Sequence, residues 1–253
     1  IIVLKSMGLI IMKYNFITTF NKRLYDEYAH EFISTYLNTN QIAPLTCYIE
    51  EDNTDEIYPQ HENISYKNVL TCQPECQKFV DRNRDRPVKV YTENALMWNY
   101  KVFGQYDMSL ERRKTFYIDA DCIFYKQFTE EWLDDFLPDD VFFAGYTREL
   151  YYTETGFIGF NNTLDISKRF FEEYVDLFKT DDIYKIKSGQ LDCTAIDTLR
   201  RKYKFFPEYK EKPWGQDYAN HGHVMAVCPK LSPYLDHRKG GRKAMDTSPE
   251  WRG

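Results

Sequence analysis

Residues 114–125 read KTFYIDADCIFY, an apolar and aromatic run that two carboxylates interrupt. The β-branched and aromatic residues predict a buried strand. Asp119 and Asp121 stand near its middle, and buried carboxylates are costly unless a cation compensates them. Oxygen ligands of this kind suit Mg²⁺ or Mn²⁺. The i, i+2 spacing therefore favours a divalent metal site. Solvated carboxylates at a strand end are the alternative.

The segments around this run predict an α/β protein. A strand is expected at 13–20, a helix at 24–37 and a second strand at 45–49, and this order typically opens an α/β fold. No linker or internal repeat is visible, so we expect one domain with a mixed sheet. A polar loop is expected at 52–65, helices at 73–81, 91–106, 130–136, 165–178 and 191–201, and strands at 141–145, 156–160 and, last, 224–228.

A second signal lies near the C-terminus, where residues 237–243 read HRKGGRK. His237 can supply a third metal ligand. Gly240 lets the backbone approach an anion closely, and Lys243 can neutralise a phosphate. A solvated basic tail is the alternative interpretation.

Together, the strand-DxD-strand pattern and the HxxGxxK spacing resemble metal-dependent glycosyltransferases of the GT-A fold. The glycogenin-like and bacterial galactosyltransferase-like enzymes are the most similar group. Residues 154–161, ETGFIGFN, resemble the strand that lines the donor sugar, with Glu154 and Thr155 departing from its first positions. The segment from Gln190 to Asp192 resembles the family's Asp/Gln segment in altered order.

The resemblance implies a single Rossmann-like GT-A domain over residues 13–253, with a central mixed, mostly parallel sheet. Residues 13–125 would form the nucleotide-binding half. Residues 126–253 would form the sugar and acceptor half, which includes the metal-binding tail.

The resemblance also implies the ligands. A divalent metal, Mn²⁺ or Mg²⁺, would be held by Asp119, Asp121 and His237. It would bridge the diphosphate of a nucleotide sugar, with a UDP-sugar as the expected donor. The implied donor-binding residues are Thr18, Thr19, Phe20, Asn21, Lys101, Ala120, Gly156, Gln190, Gly240 and Lys243.

Three residues are candidates for the catalytic carboxylate. Asp192 is the first candidate, and Asp217 and Glu154 are its rivals. An inverting hexosyl- or pentosyltransferase would use one of them as general base. A retaining enzyme would depend more on positioning and charge stabilisation.

Two other function classes use similar features. A phosphatase of the haloacid-dehalogenase type also places DxD after an apolar strand, but near the start of its core, whereas about a hundred residues of α/β pattern come first here. A non-enzymatic carbohydrate or nucleic-acid binding module would use the 21 Tyr, 18 Phe and 4 Trp. It leaves the DxD and HxxGxxK patterns unexplained.

The formal net charge of −6 argues against a protein that simply coats nucleic acid. Residues 126–154 contribute this whole excess, so the rest of the chain is near neutral. The sequence does not identify the acceptor, which can be a glycan, a protein or, as a minority hypothesis, hydroxymethylated DNA. Basic clusters at 112–114, 200–202 and 238–243 would suit a polyanion if they shared one face.

The first twelve residues, IIVLKSMGLIIM, are apolar but too short to span a bilayer. We expect Met12 or Met7 to be the natural start and residues 1–12 to be a leader. No signal peptide or membrane helix is recognised, and the six cysteines contain no CxxC pair. These features predict a cytoplasmic protein.

Overall fold

The structure is a computed structural model that describes residues 12–51, 58–148, 151–218 and 221–252. The expected leader lies outside the described residues except for Met12. In the described parts of the chain, no helix is long and apolar enough to cross a membrane.

The strands fall in two sheets, of seven and two strands. β-branched and aromatic residues dominate the central strands, as they do in buried sheets. The strands are β1 (Tyr14–Phe20), β2 (Leu45–Ile49), β3 (Ile64–Asn68), β4 (Lys114–Ile118), β5 (Cys122–Phe124), β6 (Phe143–Tyr146), β7 (Glu154–Asn161), β8 (Glu211–Pro213) and β9 (Leu235–His237).

Helices connect most of these strands. The α-helices are α1 (Lys22–Leu24), α2 (His30–Asn38), α3 (Val69–Cys72), α4 (Pro74–Asn83), α5 (Ala95–Ser109), α6 (Glu130–Phe136), α7 (Ile166–Lys179), α8 (Asp192–Tyr203) and α9 (Val224–Val227). A π-helical segment, Tyr25–Ala29, joins α1 to α2, and 3₁₀ turns lie at Tyr91–Glu93, Asp182–Lys185, Gln216–Tyr218 and Gly240–Ala244.

The large sheet has the order β3-β2-β1-β4-β7-β6-β8. Strands β1 to β4 are mutually parallel, and β6 pairs with β8 in parallel. Strand β7 runs antiparallel to both of its neighbours, β4 and β6. The predicted α/β class and the mixed, mostly parallel sheet are therefore confirmed.

Each face of the sheet carries its own core. Residues of α2, α6 and α9 pack on one face, with Phe32, Phe136 and Met225 among the buried side chains. Residues of α4, α5, α7 and α8 pack on the other, including Phe103 and Phe171. This three-layer arrangement leaves the carboxyl ends of β1, β2 and β4 at one edge, where α/β proteins commonly bind ligands.

Three sequence predictions are wrong in detail. Residues 224–228 do not form the last strand: Val224–Val227 is a short buried helix, and the last strand is β9. A short apolar run fits a buried helix as well as a buried strand, which explains the error. Strand β3 begins inside the predicted loop at 52–65. Only its first residue is buried, so its sequence lacks the apolar pattern that predicts a strand. Residues 114–125 form two strands in different sheets, β4 and β5.

Candidate functional site

The DxD segment is the turn between β4 and β5. The Asp119 N–H donates to the Gly156 carbonyl at 2.9 Å, which continues the contact between β4 and β7, and the Cys122 N–H donates back to the Asp119 carbonyl at 3.1 Å. The turn directs β5 out of the large sheet to pair with β9, with Cys122 opposite His237. This register brings a residue from far along the chain beside the two carboxylates.

The imidazole of His237 lies between the carboxylates. Its Nε2 is 3.0 Å from Asp121 Oδ1 and 3.5 Å from Asp119 Oδ2, and the side chain is almost fully buried. Ligand atoms of Asp119, Glu154 and His237 lie within 4.8 Å of one another, as do those of Asp121, Cys122 and His237. Carboxylate oxygens and one imidazole nitrogen that converge in this way fit Mn²⁺ or Mg²⁺ with positions left for phosphate oxygens.

The two DxD carboxylates have different electrostatic environments. Burial alone would raise the pKa of Asp121, but His237 and Lys243 lower it to about 2. Burial raises the pKa of Asp119, although Lys101 and His237 oppose that shift. Two carboxylates that both face one imidazole repel each other, and a divalent cation between them would remove that repulsion.

Lys101 is the buried cation behind the turn. Its Nζ lies 3.0 Å from Asp119 Oδ1 and 2.8 Å from Asp192 Oδ2, and it donates to the Thr155 carbonyl at 2.9 Å. The same ammonium lies over the Tyr117 ring, 4.1 Å from its centroid. Burial would lower the pKa of Lys101, but the charges of Asp119 and Asp192 raise it well above its usual value. Lys101 therefore joins β4, α5 and α8 at one charged centre.

Glu154 lies on the other side of His237. Its Oε1 is 3.7 Å from His237 Nδ1 and accepts a hydrogen bond from the Gly156 N–H at 3.1 Å. Its Oε2 accepts from Lys239 at 2.6 Å and lies 3.6 Å from Arg148. Burial would raise the pKa of Glu154, but Lys239, His237 and Arg148 lower it to about 2. A carboxylate behind a metal-binding imidazole commonly fixes the ring orientation.

Gly156 provides the space for this imidazole. A Cβ added at position 156 would lie 2.5 Å from His237 Cε1 and 3.1 Å from Asp119 Oδ2. The sequence predicts that Gly156 lies beside the donor sugar. In the structure, the missing side chain accommodates His237.

We expect Gly156→Ala to displace His237 and to weaken Mn²⁺ binding about 10- to 100-fold, as changes next to a metal ligand commonly do. Gly159→Ala is the matched control, because its Cβ would lie no closer than 3.2 Å to Phe116 and faces no candidate ligand. Isothermal titration with Mn²⁺ measures both variants. Equal affinities in the two variants would contradict this role of Gly156.

These groups line a cleft of about 970 Å³ at the carboxyl edge of the sheet. Four of its carboxylates and four of its cations pair with one another, so the charges of these eight groups balance. A divalent cation together with a diphosphate dianion would keep that balance. The carboxylates are Asp119, Asp121, Glu154 and Asp192, and the cations are Lys101, Arg148, Lys239 and Lys243.

Most of the predicted site residues line this cleft. Thr18 and Phe20 are buried in β1 away from it, Gln190 lies just before α8, and Asp217 is exposed in a 3₁₀ turn. The predicted residues that line the cleft are Thr19, Asn21, Lys101, Asp119, Ala120, Asp121, Glu154, Asp192, His237, Gly240 and Lys243.

The basic clusters proposed for a polyanion are largely neutralised within the chain. Lys114 is buried against Asp134, and Arg200 is buried against Glu211. Arg112 lies 3.2 Å from Asp165. Most of these side chains therefore already have an acidic partner within the chain, and a polyanionic acceptor stays a prediction.

Several residues of the cleft are not among the predicted site residues. Lys239 stands inside the HRKGGRK segment, so its position was a usable signal. Arg148 and Glu50 carry no motif and reach the cleft only through the fold.

Glu50 lies at the end of β2, where it accepts a hydrogen bond from the Asn21 amide at 3.1 Å. Burial raises the pKa of Glu50 to about 8. The folded state therefore binds a proton that the unfolded state releases above about pH 4.5, so Glu50 reduces stability as the pH rises from about 4.5 to 8.

We expect Glu50→Gln to stabilise the protein at pH 8 relative to wild type by about 1 kcal/mol or more, with little change at pH 4.5. Urea denaturation at the two pH values measures this difference. A stability difference that does not depend on pH would contradict the shifted pKa.

The comparisons with known proteins agree with the architecture. No protein-family model and no curated protein matches the chain. Among solved structures, mouse xyloside xylosyltransferase 1 in its apo form aligns with a TM-score of 0.50 at 14% identity, over 83% of this chain and 90% of that chain. The apo WbbM bifunctional glycosyltransferase aligns with a TM-score of 0.50 at 12% identity, over 90% of this chain and 46% of that chain. The chain therefore has the GT-A glycosyltransferase fold, and the predicted fold is confirmed.

Proposed function

We propose that the protein is a metal-dependent glycosyltransferase that moves a sugar from a nucleotide diphosphate sugar, a UDP-sugar, to a hydroxyl acceptor. The carrying observation is the convergence of Asp119, Asp121 and His237 at the carboxyl edge of a GT-A sheet. This edge is where α/β sheets bind nucleotides. The GT-A fold gives no support to the phosphatase alternative, and a binding module leaves the cluster without a role.

The residues suit the binding of a metal and a diphosphate. Asp119, Asp121 and His237 would hold Mn²⁺ or Mg²⁺, which supplies Lewis-acid stabilisation of the leaving diphosphate. Lys243 lies 3.4 Å from Asp121 Oδ2 and 3.9 Å from the Tyr28 ring centroid, at the open side of the cluster. Its ammonium would neutralise a phosphate oxygen. Gly240, with a φ of +59°, would let the backbone approach the same group.

The three candidate carboxylates differ in their fitness as a general base. Asp192 is buried and paired with Lys101, and Glu154 is held ionised by three neighbouring groups. Both are suited to fixing cations and the imidazole rather than to accepting a proton. Asp217 does not line the cleft. We therefore propose a reaction that depends on positioning and charge, with retention of the anomeric configuration.

A donor screen tests the function. A mixture of UDP-hexoses and UDP-pentoses is incubated with the protein and Mn²⁺, and release of UDP is followed by mass spectrometry. We expect one donor to be consumed slowly even without acceptor, and EDTA or His237→Ala to abolish this. A parallel acceptor screen covers glycans, proteins and hydroxymethylated DNA, and NMR gives the anomeric outcome. If Mn²⁺ produced neither UDP release nor UDP binding, the proposed function would fail.

A further inference from the structure

A second pocket, of about 320 Å³, lies next to the cleft and shares Arg148 with it. It forms between the end of β6, the last turns of α8 and the start of β8. Its volume is near the lower end of the range for small-ligand pockets. The charged residues that line it are Arg148, Asp197, Arg200, Arg201, Lys204 and Glu211.

The floor of this pocket is formed by Arg200 and the two carboxylates that pair with it. Arg200 is buried and donates to Glu211 through Nε and Nη2, both at 2.9 Å, and to Asp197 through Nη1 at 2.7 Å. It also donates to the Thr153 hydroxyl at 2.6 Å. Arg200 therefore has little capacity for a ligand, and it serves to fix the two carboxylates.

The wall and rim carry an excess of positive charge. Four cations and two carboxylates line the pocket, but Arg148 also faces Glu154 in the cleft, which leaves a formal charge of +1, that of Arg201. Lys204 shares Glu211 with Arg200, since its Nζ lies 2.8 Å from Glu211 Oε1. The side chain of Arg201 is exposed at the rim and makes no ion pair with any residue that the structure describes.

Arg148 connects the pocket to the metal cluster. Its side chain is 8% exposed, and its guanidinium donates to the carbonyls of Tyr152 and His221. It lies 3.6 Å from Glu154, whose other oxygen faces His237 at 3.7 Å. A ligand in the pocket would therefore lie one side chain away from the group behind the metal-binding imidazole.

We propose that this pocket binds a phosphate monoester group of the acceptor. A phosphate monoester carries nearly two negative charges at neutral pH, which would compensate Arg201 and attract Lys204, and guanidinium groups bind such oxygens in pairs. Arg201 and Lys204 would bind the phosphate at the rim. Arg148 would form the wall between the pocket and the cleft. That the ligand is the acceptor rests on the proposed function, whereas the phosphate site itself rests only on the pocket.

The affinity for glucose 6-phosphate tests the site. Isothermal titration at low ionic strength compares glucose 6-phosphate with glucose and with inorganic phosphate, in wild type, Arg201→Gln and Lys202→Gln. Lys202 is the matched control, because it is the next residue of α8, pairs with Glu173 and does not line the pocket. We expect Arg201→Gln to weaken glucose 6-phosphate binding about tenfold, the usual effect of one charge-assisted hydrogen bond, and Lys202→Gln to change it less than about twofold.

Three results would overturn the proposal. Glucose could bind as tightly as glucose 6-phosphate, the two variants could lose affinity equally, or inorganic phosphate could bind as tightly as the sugar phosphate. The last result would assign the pocket to a free anion rather than to an acceptor. Titration of the same preparations with UDP and Mn²⁺ separates the two hypotheses. If UDP and Mn²⁺ bind while glucose 6-phosphate does not, only the phosphate pocket fails. The reverse pattern removes the proposed function, and with it the identification of the ligand as the acceptor, but leaves the phosphate site.

Discussion

Replacing Asp121 by Asn should lower the Mn²⁺ affinity of the cleft and the rate of UDP-sugar turnover by at least about a hundredfold. Asp121 faces His237 Nε2 at 3.0 Å and Lys243 at 3.4 Å, so its carboxylate joins the proposed metal ligands to the lysine that we propose binds a phosphate oxygen. Asn keeps the volume but removes the charge that a divalent cation needs. Mutation of a residue that contacts a metal ligand commonly lowers metal affinity 10- to 100-fold, and mutation of a ligand itself should lower it more.

Asp217→Asn is the matched control for this substitution. The change in charge is the same, but Asp217 is exposed and does not line the cleft. We expect less than a twofold change in Mn²⁺ affinity and turnover. An equal loss in both variants would contradict the site, whereas a loss of turnover in Asp217→Asn alone would support the catalytic role that the sequence predicts for this residue.

Lys101→Met should reduce the free energy of unfolding by about 3–5 kcal/mol, because removal of one partner leaves buried charge without compensation. The Lys101 ammonium is 3% exposed and holds both Asp119 and Asp192 within 3.0 Å. Met preserves most of the volume, so the loss measures charge rather than packing. Urea denaturation at neutral pH gives the value.

Lys22→Met is the control for Lys101→Met. The Lys22 side chain is 40% exposed and pairs with Asp26, which lies in the π-helical segment after α1. Exposed pairs of this kind contribute about 0–1 kcal/mol. If the two lysine variants differed by less than about 1 kcal/mol, the buried ion pairs around Lys101 would not have the importance we assign to them.

The elements that the sequence predicted correctly are those with long runs of apolar, β-branched or aromatic residues. The strands at 13–20 and 45–49 are apolar, β-branched and aromatic, so their burial could be recognised. The burial of the run at 114–125 could be recognised for the same reason, but not its division into β4 and β5. Strand β3 and helix α9 could not be recognised, because the first alternates weakly at an edge and the second is only four residues long. In both cases tertiary packing, not local pattern, determines the structure.

The candidate site divides in the same way. Asp119, Asp121 and His237 stand in recognisable spacings, and their convergence follows from the β5–β9 ladder. Lys239 is 85 residues from Glu154, and Arg148, although only six residues before Glu154, stands in no motif that would have predicted the contact. Similarly, charge composition alone could not show that Lys114 and Arg200 are already paired within the chain.

The most direct test of the account is an electron paramagnetic resonance titration of Mn²⁺ with the wild-type protein, with and without UDP. Asp119, Asp121 and His237 should bind Mn²⁺, and UDP should raise that affinity, since the diphosphate would supply the remaining ligands. We expect the signal of free Mn²⁺ to decrease on addition of protein and to decrease further with UDP, but not in Asp121→Asn. A free Mn²⁺ signal that the protein leaves unchanged, with or without UDP, would contradict the account.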